Sequence, residues 1–254
     1  VRRDLPRTID GAPAVIHTAA GGAVYVVPDP VPEGVKIWFF TRIGGVSEPP
    51  YDSLNVSKKV GDDSEAVEEN LSIIRRAMGE LPVAWVKQVA GDGVAHIVEP
   101  GFAGEADALI TSEKDLCLTV GVADCVPVAL VGERNVAMVH SGWRGTLAGI
   151  SGKTVREMDE ESVKAYIGPC IRGCCYEVSG ELAGRFASEF DEEVVDGFNL
   201  SLPAAVRTDL ERAGVGEVVD LGLCTGCRPD LFYSHRKQGP RTGRNLAAVA
   251  RVKR

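Results

Sequence analysis

The apolar positions of this chain fall in short runs separated by Gly- and Pro-rich breaks, a spacing that predicts many strands and a few amphipathic helices. The best-defined pair of runs is 126–131 and 136–139, with Gly132-Glu133-Arg134-Asn135 as the turn between them. Pairing Val131 with Val136 predicts a β-hairpin that sets Ala129 opposite Met138 and Pro127 opposite His140. Side chains alternate faces along a strand, so Cys125 shares a face with His140. A thiol and an imidazole fifteen positions apart thus become diagonal neighbours at the open end of the hairpin. A second hairpin is expected from 83–89 and 94–98, with Gln88 near its tip.

Helical spacing is clearest over 62–78. Asp62 or Asp63 caps it, Val67, Leu71, Ile74 and Met78 form its stripe, and Gly79 ends it. Further helices are expected at 146–158, capped by Thr146, at 180–190 and at 203–213, where Pro203 sits in the first turn. Single runs at 35–41, 106–111, 116–120, 163–167, 218–221 and 246–252 predict strands, as does a short aromatic run from Leu231. Residues 1–34 suit an N-terminal edge strand and loops. No repeat or linker divides the chain, so the expected fold is α+β: a single domain over 1–254 with mixed β-sheets layered with helices.

Composition narrows the setting. The chain has 254 residues and a formal net charge of -8, which disfavours non-specific binding to nucleic acid. No apolar run approaches the length of a membrane span, and the charged N-terminus is unlike a signal peptide, so a cytoplasmic location is expected. Seven cysteines is an odd number, and Cys174 and Cys175 are adjacent; both facts favour free thiols in a reducing compartment. Nothing in the sequence bears on oligomeric state.

Cys125 and His140 fit a zinc half-site, a Cys–His nucleophile pair, or a buried thiol beside a hydrogen-bonded imidazole. His140 leads into Ser-Gly-Trp-Arg-Gly, a polar, Gly-flanked strand exit of the kind that carries binding groups. Asp124 brings a charge that is costly to bury without a partner, and its side chain is expected to point to the face opposite Cys125. Arg42 beside Gly44-Gly45 could seat an anion on backbone N–H groups, or form a plain surface turn. Trp143 could stack on a flat ligand or pack in the interior. Cys224-x2-Cys227 has zinc-ribbon or redox spacing, with Cys170-x3-Cys174 as a second pair; packed thiols are the alternative.

Taken in order, several motifs resemble one family. They are Thr41-Arg42-x-Gly-Gly-x-Ser47, Leu54-Asn55, Gln88-Val89-x-Gly91, Ala123-Asp124-Cys125 and His140-Ser-Gly-Trp-Arg-Gly145. They continue with Ile167-Gly-Pro-Cys-Ile171, Tyr176-Glu177-Val178, Cys224-Thr225 and Phe232-Tyr-Ser-His-Arg236. Together they resemble the laccase-domain purine nucleoside phosphorylases, a family also known as multicopper polyphenol oxidases. The resemblance runs from Thr41 to Asn245.

It implies a zinc-dependent cytosolic enzyme that phosphorolyses adenosine, inosine, guanosine and methylthioadenosine and deaminates adenosine. Its partners would be purine nucleosides and phosphate. The family's His-Cys-His zinc site maps onto Cys125 and His140, which are also the expected catalytic residues. The third position, the His of Gln-Val-His-Gly, is Ala90 here, and a methyl group cannot ligate. Asp92 and His96 are the nearby substitutes, both poorly placed on the expected hairpin. Weakened zinc binding and impaired activity follow, in a natural relative or in an altered form of one. Arg42, Asn55, Arg144, His235 and Arg236 are the expected substrate-binding groups, since a guanidinium suits phosphate. Two other readings stand beside this one: a Cys–His hydrolase using Cys125 and His140, and a catalytically degenerate nucleoside-binding protein. Multicopper oxidation is disfavoured, because four histidines supply too few imidazoles.

Overall fold

The structure, a computed structural model, describes residues 11–253. In chain order the strands are β1 (Ala14–Thr18), β2 (Val24–Pro28), β3 (Val35–Phe40), β4 (Val83–Lys87), β5 (Val94–His96), β6 (Gly101–Glu105), β7 (Ala108–Thr111) and β8 (Cys117–Val122). They continue with β9 (Val126–Val131), β10 (Val136–Ser141), β11 (Lys164–Ile167), β12 (Val195–Asp196), β13 (Asn199–Leu200), β14 (Glu217–Asp220) and β15 (Asn245–Arg251). The α-helices are α1 (Ser64–Ala77), α2 (Trp143–Leu147), α3 (Ile150–Met158), α4 (Gly180–Phe190), α5 (Leu202–Arg212) and α6 (His235–Gln238).

Two sheets dominate. One runs β1-β2-β3-β15-β8-β4-β6 and the other β14-β11-β9-β10-β7-β5. Strand alternation decides how they stack. Ile37 and Phe39 of β3, Leu118 and Val120 of β8, and Ala247 and Val249 of β15 share one buried cluster with Leu109, Ala129, Met138 and Tyr166 of the second sheet. The residues between them point the other way: Trp38, Phe40, Ala248 and Ala250 pack against Ile73, Ile74 and Met78 at α1. On the outer face of the second sheet, Val128, Leu130, Ala137 and Val139 pack against Ile150, Val155, Phe186, Val206 and Leu210. The result is a mixed α+β sandwich of helix, sheet, sheet and helices, with its main core between the sheets.

The central hairpin has the expected register: Val131 lies opposite Val136, Ala129 opposite Met138 and Pro127 opposite His140. Its turn is tied down from outside. Glu160 accepts the backbone N–H groups of Glu133, Arg134 and Asn135 at 3.2, 3.0 and 2.7 Å. Burial alone would raise the Glu160 pKa, but these donors outweigh it and hold the carboxyl below its usual range. The folded chain therefore binds that proton more weakly than the unfolded chain. The stabilisation is present above the unfolded carboxyl pKa of about 4.3 and lost as pH falls through the folded value. Glu160→Ala should cost roughly 2 kcal/mol at neutral pH by orphaning these donors. Urea midpoints of both forms at pH 7 and in acid check this, and the gap should narrow in acid.

Several expectations change. The runs 83–89 and 94–98 do not form a hairpin. β4 lies parallel to β6 and β8 in the first sheet, and β5 lies parallel to β7 in the second. The connecting loop instead wraps a carboxylate, described below. The expected helix 146–158 is two helices broken at Gly149, whose φ of 70° is left-handed. It begins earlier, at Trp143, and Thr146 bonds back to the Gly142 carbonyl rather than capping. α1 is capped by Asp63, and its buried face carries Asn70 and Ile73, with Leu71 at the margin. The aromatic run from Leu231 is not a strand. Leu231, Phe232 and Tyr233 are buried ahead of α6. The N-terminal segment forms two strands, β1 and β2, at the sheet edge; the part of it before residue 11 lies outside the described residues.

Candidate active site

Five chain crossings converge at one end of the sandwich. They are the loop after β4, the β6–β7 and β8–β9 crossovers, the exit of β10 and the entry to β15. β8 and β4 are parallel, and β15 is antiparallel to β8, so Val122 and Asn245 meet at this end. His140 has the parity of Met138, and Cys125 that of Ala129, so both side chains sit at the mouth of the inter-sheet core. Their proximity shows at Gly142, where an added Cβ would stand 3.2 Å from Cys125 Sγ and 3.9 Å from His140 Cε1. Cys125 is half-buried and His140 buried.

Asp107 completes the arrangement, and sequence reasoning did not find it. Its buried Oδ1 lies 2.8 Å from His140 Nδ1 and accepts the Ala90 N–H at 3.0 Å. Its Oδ2 accepts the N–H groups of Val89 and Gly91 at 3.2 and 2.7 Å. Burial opposes the charge of Asp107, yet these donors hold its pKa below the usual value. An ionised Asp107 accepting at Nδ1 puts a proton on that nitrogen and leaves Nε2 as the ring nitrogen for ligation or proton transfer. Burial would lower the His140 pKa, but the charge of Cys125 and the hydrogen bonds of Asp107 and Cys125 push it up to about 9. The signal in the sequence was only Ala-Asp-Ala at the head of a strand, with no local spacing linking it to His140.

Asp124 also finds its partners. It takes a left-handed φ of 82°, its Oδ1 accepts the Thr225 hydroxyl at 2.7 Å, and its Oδ2 accepts the Arg236 N–H at 2.7 Å. That explains why a buried charge is tolerated beside Cys125, and it ties Thr225 and α6 to the site. Arg236 stacks over Tyr176 at 4.8 Å and donates to the Glu177 carbonyl. These residues and Trp143 line a cleft of about 420 Å³ with Val178, Ser179 and Leu182. Burial raises the Tyr176 pKa first, and the charge of Cys125 raises it further, placing the phenol near the thiol.

Arg144 is exposed and lies over the Trp143 ring at 4.0 Å, so that face of the indole is covered. His235 is exposed at the start of α6. Arg244 was missed by sequence reasoning: burial lowers its pKa, while Cys125 and Asp124 raise it, which places a half-buried cation near the thiol. Asn55 is buried, and accepts the Arg244 N–H at 2.9 Å while donating to Asp62 at 2.8 Å. It thus positions the Arg244 backbone. Arg42 has another task than holding phosphate. Its fork bonds the Asp52 and Pro229 carbonyls and the Asp52 carboxylate, and it stacks on Tyr233 at 4.6 Å. The neighbouring Gly44 and Gly45 N–H groups are taken by the Ser53 hydroxyl, so this turn is no anion cradle.

Asp107 Oδ1 engages His140 Nδ1, which leaves the other ring nitrogen as the one to ligate. Ala90 carries a left-handed φ of 58° and no donor. Asp92 pairs with Lys153 at 3.0 Å and His96 with Glu157 at 3.2 Å, both exposed. Two donors, Cys125 and His140, fall short of the three that a catalytic zinc ordinarily takes from protein. Elsewhere, the sulfurs of Cys174, Cys175, Cys224 and Cys227 lie within 4.8 Å of one another and could bind a metal. Cys170 is buried outside this group.

The sequence pattern of the multi-copper polyphenol oxidoreductase laccase family matches residues 36–252. The chain belongs to this family. A Deinococcus radiodurans member named purine nucleoside phosphorylase is 37% identical over 229 residues, covering 85% of this chain and 89% of its own. The Escherichia coli member named purine nucleoside phosphorylase YfiH is 34% identical over 243 residues, covering 88% of this chain and 97% of its own. The crystal structure of Neisseria meningitidis NMB0706 superposes with a TM-score of 0.84 at 32% identity, covering 91% of this chain and 99% of that one. Against the copper chemistry in the family's description, this chain's four histidines stand on separate elements: His17 on β1, His96 on β5, His140 on β10 and His235 on α6.

Proposed function

We propose that this chain acts on purine nucleosides, cleaving adenosine, inosine, guanosine or methylthioadenosine with phosphate and deaminating adenosine, at a rate limited by Ala90. The observation that carries the reading is the Asp107–His140 hydrogen bond with Cys125 close by, beside the cleft of Trp143, Tyr176 and Arg236. Relatives named purine nucleoside phosphorylase support it. In phosphorolysis a phosphate oxygen forms a bond to the sugar C1′ as the bond to purine N9 breaks. The protein must hold a dianion and offset charge on the departing base. Arg236 lines the cleft, Arg144 stacks on Trp143 at its wall, Arg244 lies near the thiol, and His235 precedes Arg236 at the start of α6. Trp143 and Tyr176 line the cleft with Arg144 and Arg236 stacked on their rings, so they hold these two guanidinium groups at its wall. The zinc site that the family resemblance implies lacks its third ligand at Ala90, which is why the rate is expected to be low; zinc held by Cys125 and His140 would polarise the substrate or its attacking group.

Arg236 is exposed, so its removal should be graded rather than fatal. Arg236→Ala should raise KM for phosphate roughly tenfold, the worth of one charge-assisted contact, with a smaller change in kcat. Initial rates against phosphate concentration measure this.

Asp107 favours a second reading, since a Cys–His pair oriented by a carboxylate also suits acyl transfer. Three assays on the purified chain and its Cys125→Ser form separate the possibilities. Phosphate-dependent base release that is lost in Cys125→Ser supports the nucleoside enzyme. Ester or amide hydrolysis lost in Cys125→Ser, without base release, supports the hydrolase. Nucleoside binding without turnover supports a binding protein.

A further inference from the structure

We infer that Cys174, Cys175, Cys224 and Cys227 form a structural zinc site, separate from the Cys125–His140 centre. A zinc–thiolate bond of about 2.3 Å puts the sulfurs of a tetrahedral site about 3.8 Å apart. Here Cys174 Sγ lies 3.6 Å from Cys224 Sγ and 3.5 Å from Cys227 Sγ, and Cys175 Sγ lies 3.5 Å from Cys227 Sγ. All four sulfurs are within 4.8 Å of one another. A polynuclear iron–sulfur cluster binds each thiolate to an iron at its periphery and needs wider spacing, so the size fits a single ion. Two disulfides would draw the sulfurs into two pairs, whereas Cys174 and Cys227 each stand equally close to two neighbours.

The backbone around the cluster supports a thiolate site. Cys224 and Cys227 flank a tight turn closed by the Arg228 N–H on the Cys224 carbonyl at 3.1 Å. Gly226 is required by proximity: a Cβ there would stand 2.9 Å from Cys175 Cβ and 3.0 Å from its Sγ. The two strand-end loops are already fastened by the bidentate Arg172–Asp220 pair at 2.9 and 2.8 Å. Cys174 and Cys227 are exposed, which gives an ion a way in. Soft thiolates in tetrahedral array select zinc among the abundant divalent ions.

The site has a structural consequence. One loop it joins runs on to Tyr176 and the other to Thr225 and Arg236, so the metal would fix the cleft wall against Asp124. Ligation releases the thiol protons to solvent and leaves the oxidation states of sulfur and zinc unchanged.

The test uses the full chain purified under reducing conditions with zinc supplied. Metal analysis should find one zinc per chain in the parent and in Cys125→Ser, and its loss in Cys174→Ser/Cys227→Ser. Because those variants could fold poorly, cobalt exchange into Cys125→Ser gives an independent readout. Intense sulfur-to-cobalt charge-transfer absorption of tetrahedral, four-thiolate character is expected. Zinc retained in the double variant, iron in place of zinc, a disulfide count of two under reducing conditions, or no cobalt–thiolate band would each overturn the assignment. None of these readouts depends on nucleoside turnover, so the site and the proposed activity stand or fall separately.

Discussion

Ala90→His should raise zinc affinity at the Cys125–His140 centre by roughly 10²-fold or more, and nucleoside turnover with it. Loss of a single outer-shell partner already costs 10–100-fold in metal affinity, and a missing ligand should cost at least as much. The backbone favours the change. Ala90 holds a φ of 58°, a conformation that His adopts more readily than most residues other than Gly. Its N–H is already fixed on Asp107 Oδ1, the same oxygen that faces His140 Nδ1, so the new imidazole would start from a loop anchored at the site. Zinc competition against a chelator, run on Ala90→His and the parent with the four-thiolate site already loaded, measures the gain. Unchanged affinity would show that the loop after β4 does not direct position 90 toward Cys125.

Asp107→Asn should lower turnover roughly 10²- to 10³-fold, in the range of a lost acid–base partner. Asp107 is a positioning residue, acting through His140. Its two oxygens accept three backbone N–H groups and face the imidazole nitrogen. An amide keeps one oxygen and turns an NH2 toward the remaining donors, so either the loop or the His140 tautomer is lost. Removing the negative charge should also bring the His140 pKa down from its value of about 9. Imidazole proton chemical shifts followed through a pH titration read that change, which a purely structural role for Asp107 would not produce. An unmoved His140 titration with unchanged turnover would remove Asp107 from the site.

Local pattern foreshadowed part of this architecture. The turn Gly132-Glu133-Arg134-Asn135 and the alternation on either side of it set the hairpin register, and the register set Cys125 beside His140. Motif order carried the family. Long-range pairing did not show in the sequence, because β5 and β7, or β4 and β8, meet as parallel neighbours through crossovers that leave no local trace. Asp107 was hidden for the same reason: its partner lies on another strand, 33 positions away. The thiol cluster was half legible. Cys224 and Cys227 have ligand spacing, but their partners are Cys174 and Cys175 rather than Cys170, because the chain turns after the buried Cys170 and presents only the adjacent pair. Arg42 misled because a Gly-Gly turn beside a cation suits an anion, whereas here Ser53 and Asp52 occupy those donors.

Phosphate-dependent release of hypoxanthine from inosine, followed for Ala90→His with and without a second change, His140→Ala, tests the central claim most directly. The account predicts turnover in the first protein and its collapse in the second, with ribose 1-phosphate formed in equal amount to the base. Equal turnover in both, or base release that does not need phosphate, would contradict it.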